Sequence, residues 1–120
     1  MINRYSCINI YEDKTKYSKL SSQILYGEKF TILRRYKDWY KIKTSYDKYV
    51  GFIKKKKFEN FVHKPTHKVS SLKAKVFLKP YKTSKVRMKL SFTSLIQVKS
   101  SIKDFLVLIT IGYKNLTLSL

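Results

Sequence analysis

The chain has 120 residues, with 27 Lys and Arg against 7 Asp and Glu, so its formal net charge is +20. Its apolar fraction of 43% and its aromatic fraction of 15% exclude a disordered basic tail, and its length excludes a large enzyme. The excess charge points to a polyanionic partner. However, 23 of the basic residues are Lys and only 4 are Arg, the residue suited to bidentate phosphate and base contacts, which weakens the charge as a sign of specific nucleic-acid binding.

The first half of the chain predicts short β-strands in the order of an SH3-like barrel. Alternating, β-branched and aromatic residues mark strands over residues 6–11, 29–35, 39–44 and 49–53. A long polar stretch follows the first strand, turns apolar at residues 24–26 and reaches a predicted turn at Gly27. The lysine run 54–57 and the residues up to 61 predict a short helical turn, and the segment after it, which contains Pro65, predicts a linker.

The sequence offers little for catalysis or metal binding. Cys7 is the only cysteine, lies on a predicted strand and has no nearby His to hold it as a thiolate. His63 and His67 flank Pro65, which disfavours a helix that would present both rings to one metal ion. We therefore predict no catalytic residue, no metal and no cofactor. The longest apolar run is far shorter than the roughly 20 residues of a membrane span, and no signal peptide is visible.

The second half of the sequence aligns with the first at an offset of 66 residues. The triplet 37–39, Lys-Asp-Trp, falls on Lys-Asp-Phe at 103–105, and five apolar positions also coincide: Tyr11 with Phe77, Tyr26 with Phe92, Phe30 with Ile96, Ile32 with Val98 and Ile42 with Leu108. The pair Gly112-Tyr113 matches Gly51-Phe52 if the offset shortens to 61.

These matches predict an all-β chain of two tandem small SH3-like barrels, residues 1–62 and 67–120, with a linker at 63–66. The second barrel is predicted to be degenerate, because Thr93 and Ser94 replace Gly27 and Glu28.

Four segments of the first half carry a family resemblance: 22–28 (SQILYGE), 30–33 (FTIL), 38–42 (DWYKI) and 46–53 (YDKYVGFI). Their order and spacing resemble the N-terminal bacterial SH3 domain of NlpC/p60-type cell-wall peptidases, which share a TQ-x-LYGE stretch, a central Trp and a closing Y-x-GY-x-GW strand. The likeness is good over about residues 8–55 and weak over 67–120, where such enzymes carry a second SH3-like domain. It implies binding of peptidoglycan stem peptides beside a cysteine peptidase domain that cuts after D-glutamate.

Six residues are candidates for ligand contacts: Tyr26, Glu28, Trp39, Asp47, Tyr49 and Phe52. The resemblance implies that Tyr49 lines a pocket for a free N-terminal L-alanine. Ser21-Ser22 stands where relatives often have an acidic residue and Thr, so the carboxylate that recognises the amine is either absent or supplied by Glu28 or Asp47. Phe52 replaces the usual Trp. For the aromatic candidates core packing is the competing interpretation, and for Glu28 it is pairing with a surface lysine.

Two hypotheses from different classes follow. In the first, the chain is a non-catalytic targeting and specificity module of such a peptidase, binds peptidoglycan or muropeptide stem peptides, and acts with a cysteine peptidase domain in the same or a longer chain. Its expected location is the cytoplasm or the cell envelope. In the second, it is a small basic nucleic-acid-binding protein whose lysines follow phosphates while aromatic rings stack on bases. An adaptor for Pro-rich peptides is a third possibility.

Overall fold

The structure, a computed structural model, describes residues 1–15, 17–58, 63–80, 84–102, 104–108 and 116–119. Contacts divide the chain into two compact units, Met1–Asn60 and Phe61–Leu120. Every regular element in the described residues is a β-strand, so the predicted all-β class is confirmed. The residue limits that we predicted for the two domains stay a prediction.

The first unit contains one antiparallel sheet of five strands in its described residues. The strands are β1 (Cys7–Tyr11), β2 (Leu20–Leu25), β3 (Phe30–Arg35), β4 (Trp39–Thr44) and β5 (Val50–Lys54). Their order across the sheet is β2-β1-β5-β4-β3. Within the described residues β2 and β3 do not pair with each other, so backbone hydrogen bonds do not close this sheet into the expected barrel.

Alternation along the strands sends one set of side chains into the core of the first unit. Seven buried residues form that core: Ile8, Ile10, Ile24, Phe30, Tyr40, Ile42 and Ile53. Burying each large apolar side chain contributes about 1.5–3 kcal/mol, and side chains point to opposite faces with period two. The same constraint that directs Ile10, Tyr40 and Ile53 inward therefore directs Tyr11, Trp39 and Phe52 to the other face.

Two expectations for the first unit are wrong. The long polar stretch after β1 contains a strand, β2, which sequence reasoning missed because it is an edge strand with only Ile24 fully buried. The lysine run does not begin a helical turn: Lys54 ends β5 and residues 55–58 are irregular. The rest of the expected turn, 59–61, lies outside the described residues.

The second unit repeats the architecture of the first. Its strands are β6 (His67–Lys68), β7 (Lys73–Phe77), β8 (Val86–Ser91), β9 (Leu95–Ile96), β10 (Val98–Ile102), β11 (Phe105–Leu108) and β12 (Thr117–Ser119). The order of its larger sheet, β10-β11-β12-β7-β8, is the order of the first sheet read from the other edge. In the described residues this sheet is also open between its end strands.

The predicted repeat is confirmed by the register of the strand pairs. All five β1–β2 pairs recur in β7–β8 at the offset of 66; for example, Cys7↔Leu25 corresponds to Lys73↔Ser91. Both ladders also shift register before their last pair. The β3–β4 pairs from Ile32↔Ile42 onward also recur in β10–β11 at this offset, and the register shift after Ile32 recurs after Val98. The turn before β3 recurs too, because Gly27 has φ 83° and Thr93 has φ 69°. The two halves therefore share one backbone plan.

The predicted match of Gly112-Tyr113 to Gly51-Phe52 is wrong. The strand that pairs as β5 does is β12, whose Thr117 lies opposite Phe77 as Phe52 lies opposite Tyr11. The offset between β5 and β12 is therefore 65, so the second half is one residue shorter than the first at this point, whereas the prediction made it five residues shorter. Gly112 and Tyr113 themselves lie outside the described residues.

The segment expected to be a solvated linker makes ordered contacts with the second unit. His63 is only 4% exposed and its Nε2 lies 3.2 Å from Leu95 O. The backbone N–H of Lys64 donates to Gln97 Oε1 at 3.1 Å. In the part of the chain that the structure describes, no helix has the length and apolar character needed to span a membrane.

Candidate functional site

Four half-buried aromatic side chains cluster on the outer side of the first sheet. Tyr11 and Trp39 meet edge to face, with ring centroids 5.6 Å apart and an interplanar angle of 89°. Tyr36 and Phe52 lie 6.2 Å apart at 52°, and Phe52 is the cross-strand partner of Tyr11. We call Tyr11, Tyr36, Trp39 and Phe52 the outer aromatic cluster. Each ring combines apolar area with restricted motion, which suits a ligand platform.

Cations border this cluster. The ammonium of Lys14 lies 5.1 Å from the ring centroid of Tyr36, and the guanidinium of Arg34 lies at the same distance. Contacts of this kind contribute about 0.5–1 kcal/mol at exposed sites. They hold positive charge beside the rings, where an anionic group of a ligand would meet it.

An open groove of about 530 Å³ adjoins Trp39. It is lined by residues of the β1–β2 loop, the β3–β4 turn and the end of β5: Lys14, Thr15, Tyr17, Asp38, Trp39, Lys54 and Lys55. The loop is held by Glu12 N–H donating to Lys19 O at 3.0 Å, and Lys55 N–H donates to Asp38 O at 3.0 Å. The groove therefore brings one carboxylate, three ammonium groups and two aromatic rings together, within the size range of small-ligand sites.

The lysine run packs partly on rings elsewhere in the first unit. Lys55 Nζ lies 5.8 Å from the centroid of Tyr40, and Lys56 Nζ lies 4.9 Å from that of Tyr5. The next residue but one, Phe58, makes an edge contact with Phe30 at 5.0 Å between centroids. The run thus anchors the end of the unit as well as carrying charge.

Tyr26 and Glu28, two of the predicted ligand contacts, belong to the turn before β3. Tyr26 is 4% exposed, and burial raises the pKa of its hydroxyl to about 12. Glu28 Oε1 accepts the backbone N–H of Leu25 at 2.6 Å, while Glu28 O accepts that of Asn3 at 2.9 Å. The carboxylate of Glu28 therefore supports the turn, and among the described residues no ion pair joins it to a surface lysine, which the competing interpretation had expected.

Asp47 and Tyr49 lie in the hairpin between β4 and β5. Asp47 is exposed and accepts a hydrogen bond from the hydroxyl of Thr44, which lowers the pKa of the Asp47 carboxyl. Tyr49 N–H donates to Thr44 Oγ1 at 2.9 Å, and the Tyr49 ring packs against the core. This pair shapes the hairpin around Thr44.

The six predicted residues are thus distributed over three places. Trp39 and Phe52 lie on the outer aromatic cluster, Tyr26 and Glu28 lie in one turn, and Asp47 and Tyr49 lie in one hairpin. Their role as ligand contacts stays a prediction. Sequence reasoning missed Tyr11, Tyr36, Lys14 and the β1–β2 loop as parts of a site. Tyr11 could have been found from the alternation of β1, because it is out of phase with the buried Ile8 and Ile10 and therefore faces outward.

Comparison with known families bears on this unit. Residues 10–58 match the family model of the bacterial dipeptidyl-peptidase SH3 domain. The matched segment runs from the core residue Ile10 to Phe58 and includes the outer aromatic cluster and the groove. No curated protein sequence showed a significant match to the chain.

Cys7 lies in β1 of the first unit, just before the segment that matches the family model, and is half-buried. The histidine rings make contacts in the second unit: His63 lies against Leu95 O, and His67 Nδ1 lies 2.8 Å from Thr66 Oγ1. The predicted placement of Cys7 on a strand is confirmed. In the described residues, no three His, Cys, Asp or Glu side chains come together as a metal site would require.

Proposed function

We propose that the first unit is a non-catalytic recognition module of an NlpC/p60-type peptidoglycan peptidase, and that the groove beside Trp39 binds wall stem peptides. The observation that carries the proposal is the groove itself, in which Asp38, three lysines and two aromatic rings surround one open volume. The match to a bacterial dipeptidyl-peptidase SH3 domain supports the peptidase context. Cleavage is assigned to a cysteine peptidase domain in the same or a longer chain.

The charges of the groove complement a stem peptide with a free N-terminus. The carboxylate of Asp38 attracts the ammonium of an N-terminal L-alanine, and Lys14, Lys54 and Lys55 attract carboxylates such as that of D-glutamate. Trp39 and Tyr17 offer ring surface to the peptide between these charges. Exposed charge pairs are individually weak, so affinity in the micromolar to millimolar range is expected.

The single tryptophan of the chain is a built-in reporter, because Trp39 lines the groove. A synthetic peptide of L-alanine, D-glutamate and a diamino acid is titrated into the full chain while Trp39 emission is recorded. We expect a saturable change, and a several-fold weaker change for the N-acetylated peptide, whose ammonium is removed. Equal binding of the two peptides would contradict the role of Asp38, and an unchanged emission with no binding by calorimetry would contradict the proposal.

The repeat supplies a matched control. Asp38→Asn removes the groove carboxylate, and Asp104→Asn removes its counterpart 66 residues later in the second unit. Only Asp38→Asn is expected to weaken the free peptide and to leave the N-acetylated peptide unaffected. Tyr49→Phe tests the pocket implied by the family resemblance, because it removes a hydroxyl and keeps the ring packed against the core. Unchanged affinity for Tyr49→Phe would remove that hydroxyl from the site.

A further inference from the structure

The positive charge of the first sheet is not offset within its strands. The five strands contain five Lys and Arg and no Asp or Glu. The carboxylate nearest to β4 in the sequence is that of Asp38, which lies in the turn just before this strand and lines the groove. A cation on the outer side of the sheet is therefore open to an anionic group of a ligand.

Two of these cations lie in one row with the rings of the outer aromatic cluster. Arg34 of β3 is the direct cross-strand partner of Lys41 of β4. Lys41 is in turn the partner of Phe52, which pairs with Tyr11. Directly opposite residues project from the same face of a sheet, with Cβ atoms about 4.5–5.5 Å apart. The exposed Arg34 and the half-buried Lys41 thus share the outer face with the rings, and we call them the cation pair.

Tyr36 connects the cation pair to the groove. The guanidinium of Arg34 and the ammonium of Lys14 each lie 5.1 Å from the centroid of the Tyr36 ring, so these two cations are at most about 10 Å apart. Lys14 is one of the residues that line the groove. The Tyr36 ring also packs on Phe52, the neighbour of Lys41, at 6.2 Å between centroids. A ligand that leaves the groove past Lys14 therefore meets the cation pair across one ring.

The distance between the opposite charges matches a short peptide. Asp38 and Lys41 are three residues apart along an extended strand, which corresponds to about 10 Å. A peptide of three residues spans at most about 10–11 Å when it is extended. If its N-terminal ammonium meets Asp38, the carboxylate of its third residue reaches the cation pair. A carboxylate at one end of the site and two cations at the other favour such a zwitterion over a polyanion, which Asp38 repels.

We propose that the cation pair is the subsite for the free carboxylate of the third residue of a bound stem peptide. This inference rests on the proposed function of the groove and names the feature of the peptide that the site reads. The guanidinium of Arg34 suits a bidentate contact with a carboxylate, and the ammonium of Lys41 adds a second positive charge beside it. A peptide that is amidated at this position, or extended beyond it, has no carboxylate at the cation pair and binds more weakly.

The second unit shows that the shared backbone does not need the cation pair. Ser100 and Val107 form the corresponding cross-strand pair at the offset of 66. The variant Arg34→Ser/Lys41→Gln therefore removes both charges at a place where the fold accepts uncharged residues, and loss of folding is not expected.

A matched control removes one arginine and one lysine elsewhere in the first unit. Arg35 follows Arg34 in β3, but its guanidinium lies 5.1 Å from the ring centroid of the buried Tyr40, away from the outer face. Lys29 is exposed and directly precedes β3. The variant Arg35→Ser/Lys29→Gln thus changes the net charge by the same amount and leaves the cation pair in place.

The experiment titrates the full chain with L-alanyl-D-glutamyl-L-lysine and with its C-terminal amide, followed by Trp39 emission and by calorimetry. We expect the wild-type chain to bind the free acid about threefold to tenfold more tightly than the amide. The cation-pair variant should bind both peptides equally, with the affinity that the wild type has for the amide. The control variant should keep the preference for the acid. Because the amide retains its N-terminal ammonium, its binding reports on the groove and Asp38 without the cation pair.

Each contrary outcome identifies which proposal fails. If the wild type binds acid and amide equally while N-acetylation still weakens both, the cation-pair subsite is overturned and the function of the groove stands. The subsite is also overturned if the cation-pair variant keeps the preference, if it weakens both peptides to the same extent, or if the control variant loses the preference too. If neither peptide binds the wild type, both proposals are overturned.

Discussion

Gly51 is the position in the first unit where the structure leaves least room for a side chain. A Cβ atom placed there would overlap Cγ2 of Ile10, and it would lie 3.1 Å from Tyr11 O and 3.4 Å from Cε1 of Tyr49. Ile10 is fully buried and β-branched, so its methyl group cannot move aside without displacing the core. We therefore predict that Gly51→Ala destabilises the first unit.

The size of the effect follows from two opposing terms. Overpacking a core typically costs about 1–3 kcal/mol. Replacing a glycine outside the left-handed region stabilises by about 0.4–1 kcal/mol through the unfolded chain, and Gly51 is outside that region. The expected net loss is about 0.5–2 kcal/mol. In the second unit Leu116 stands at this register and Val76 replaces Ile10, so the requirement for glycine comes from packing and not from the sheet.

Urea unfolding followed by Trp39 emission measures this loss in the first unit alone, because Trp39 is the only tryptophan. With a slope of about 1 kcal/mol per molar, the midpoint is expected to fall by about 0.5–2 M. In the Ile10→Ala background the overlapping methyl group is gone, and the added cost of Gly51→Ala should largely disappear. An unchanged or higher midpoint for Gly51→Ala, or equal costs in both backgrounds, would refute the steric explanation.

Three further predictions concern the turns and buried hydroxyls. Thr93 is a β-branched residue at φ 69°, so Thr93→Gly should stabilise the second unit by about 1–2 kcal/mol and Gly27→Thr should destabilise the first, as measured by thermal unfolding followed by circular dichroism. The pKa of Tyr26 is about 12 in the folded chain against 10 in the unfolded chain, so the free energy of unfolding is highest below pH 10 and falls by about 2–3 kcal/mol as the pH rises to 12. Tyr26→Phe should flatten that part of the curve of stability against pH. Ser94 Oγ is fully buried and has no hydrogen-bond partner within the described residues, so Ser94→Ala should leave the melting temperature unchanged or raise it.

Local alternation predicted much of the first sheet. The expected strand 39–44 coincides with β4, because Tyr40, Ile42 and Thr44 are buried in phase. The alternation fails for β2, because Ser21, Ser22 and Gln23 are all polar and show no apolar–polar pattern. The position of this strand becomes visible only through its pairing with β1. The pairing of β1 with β5 was not predicted, because it joins residues that are far apart in the sequence, such as Tyr11 and Phe52.

The site was less predictable than the strands, because its parts come from distant segments. Trp39 and Phe52 were identified by motif, but Lys14 joins them only when the β1–β2 loop folds back over β4 and β5. The hydrogen bond that Glu28 makes was unpredictable for a related reason. Its partner is the backbone N–H of Leu25, a group that every residue type carries and that a sequence therefore cannot single out.

Comparison of the two repeats distinguishes the features that the shared backbone requires from those that differ between the units. Equivalent buried positions make the same backbone contact although their side chains differ. Asn3 and Val69 are both buried, and the N–H of each donates to the carbonyl of the residue 25 positions later, Glu28 or Ser94. Surface positions at equal register have diverged. The edge-to-face pair Tyr11–Trp39 is half-exposed beside a groove, whereas its counterpart Phe77–Phe105 is buried. Conversely, the hydrogen-bonded Asn9–Gln23 has become Lys75–Lys89. Since the shared backbone tolerates both states at each place, the fold itself requires neither the half-exposed aromatic pair of the first unit nor the lysine pair of the second.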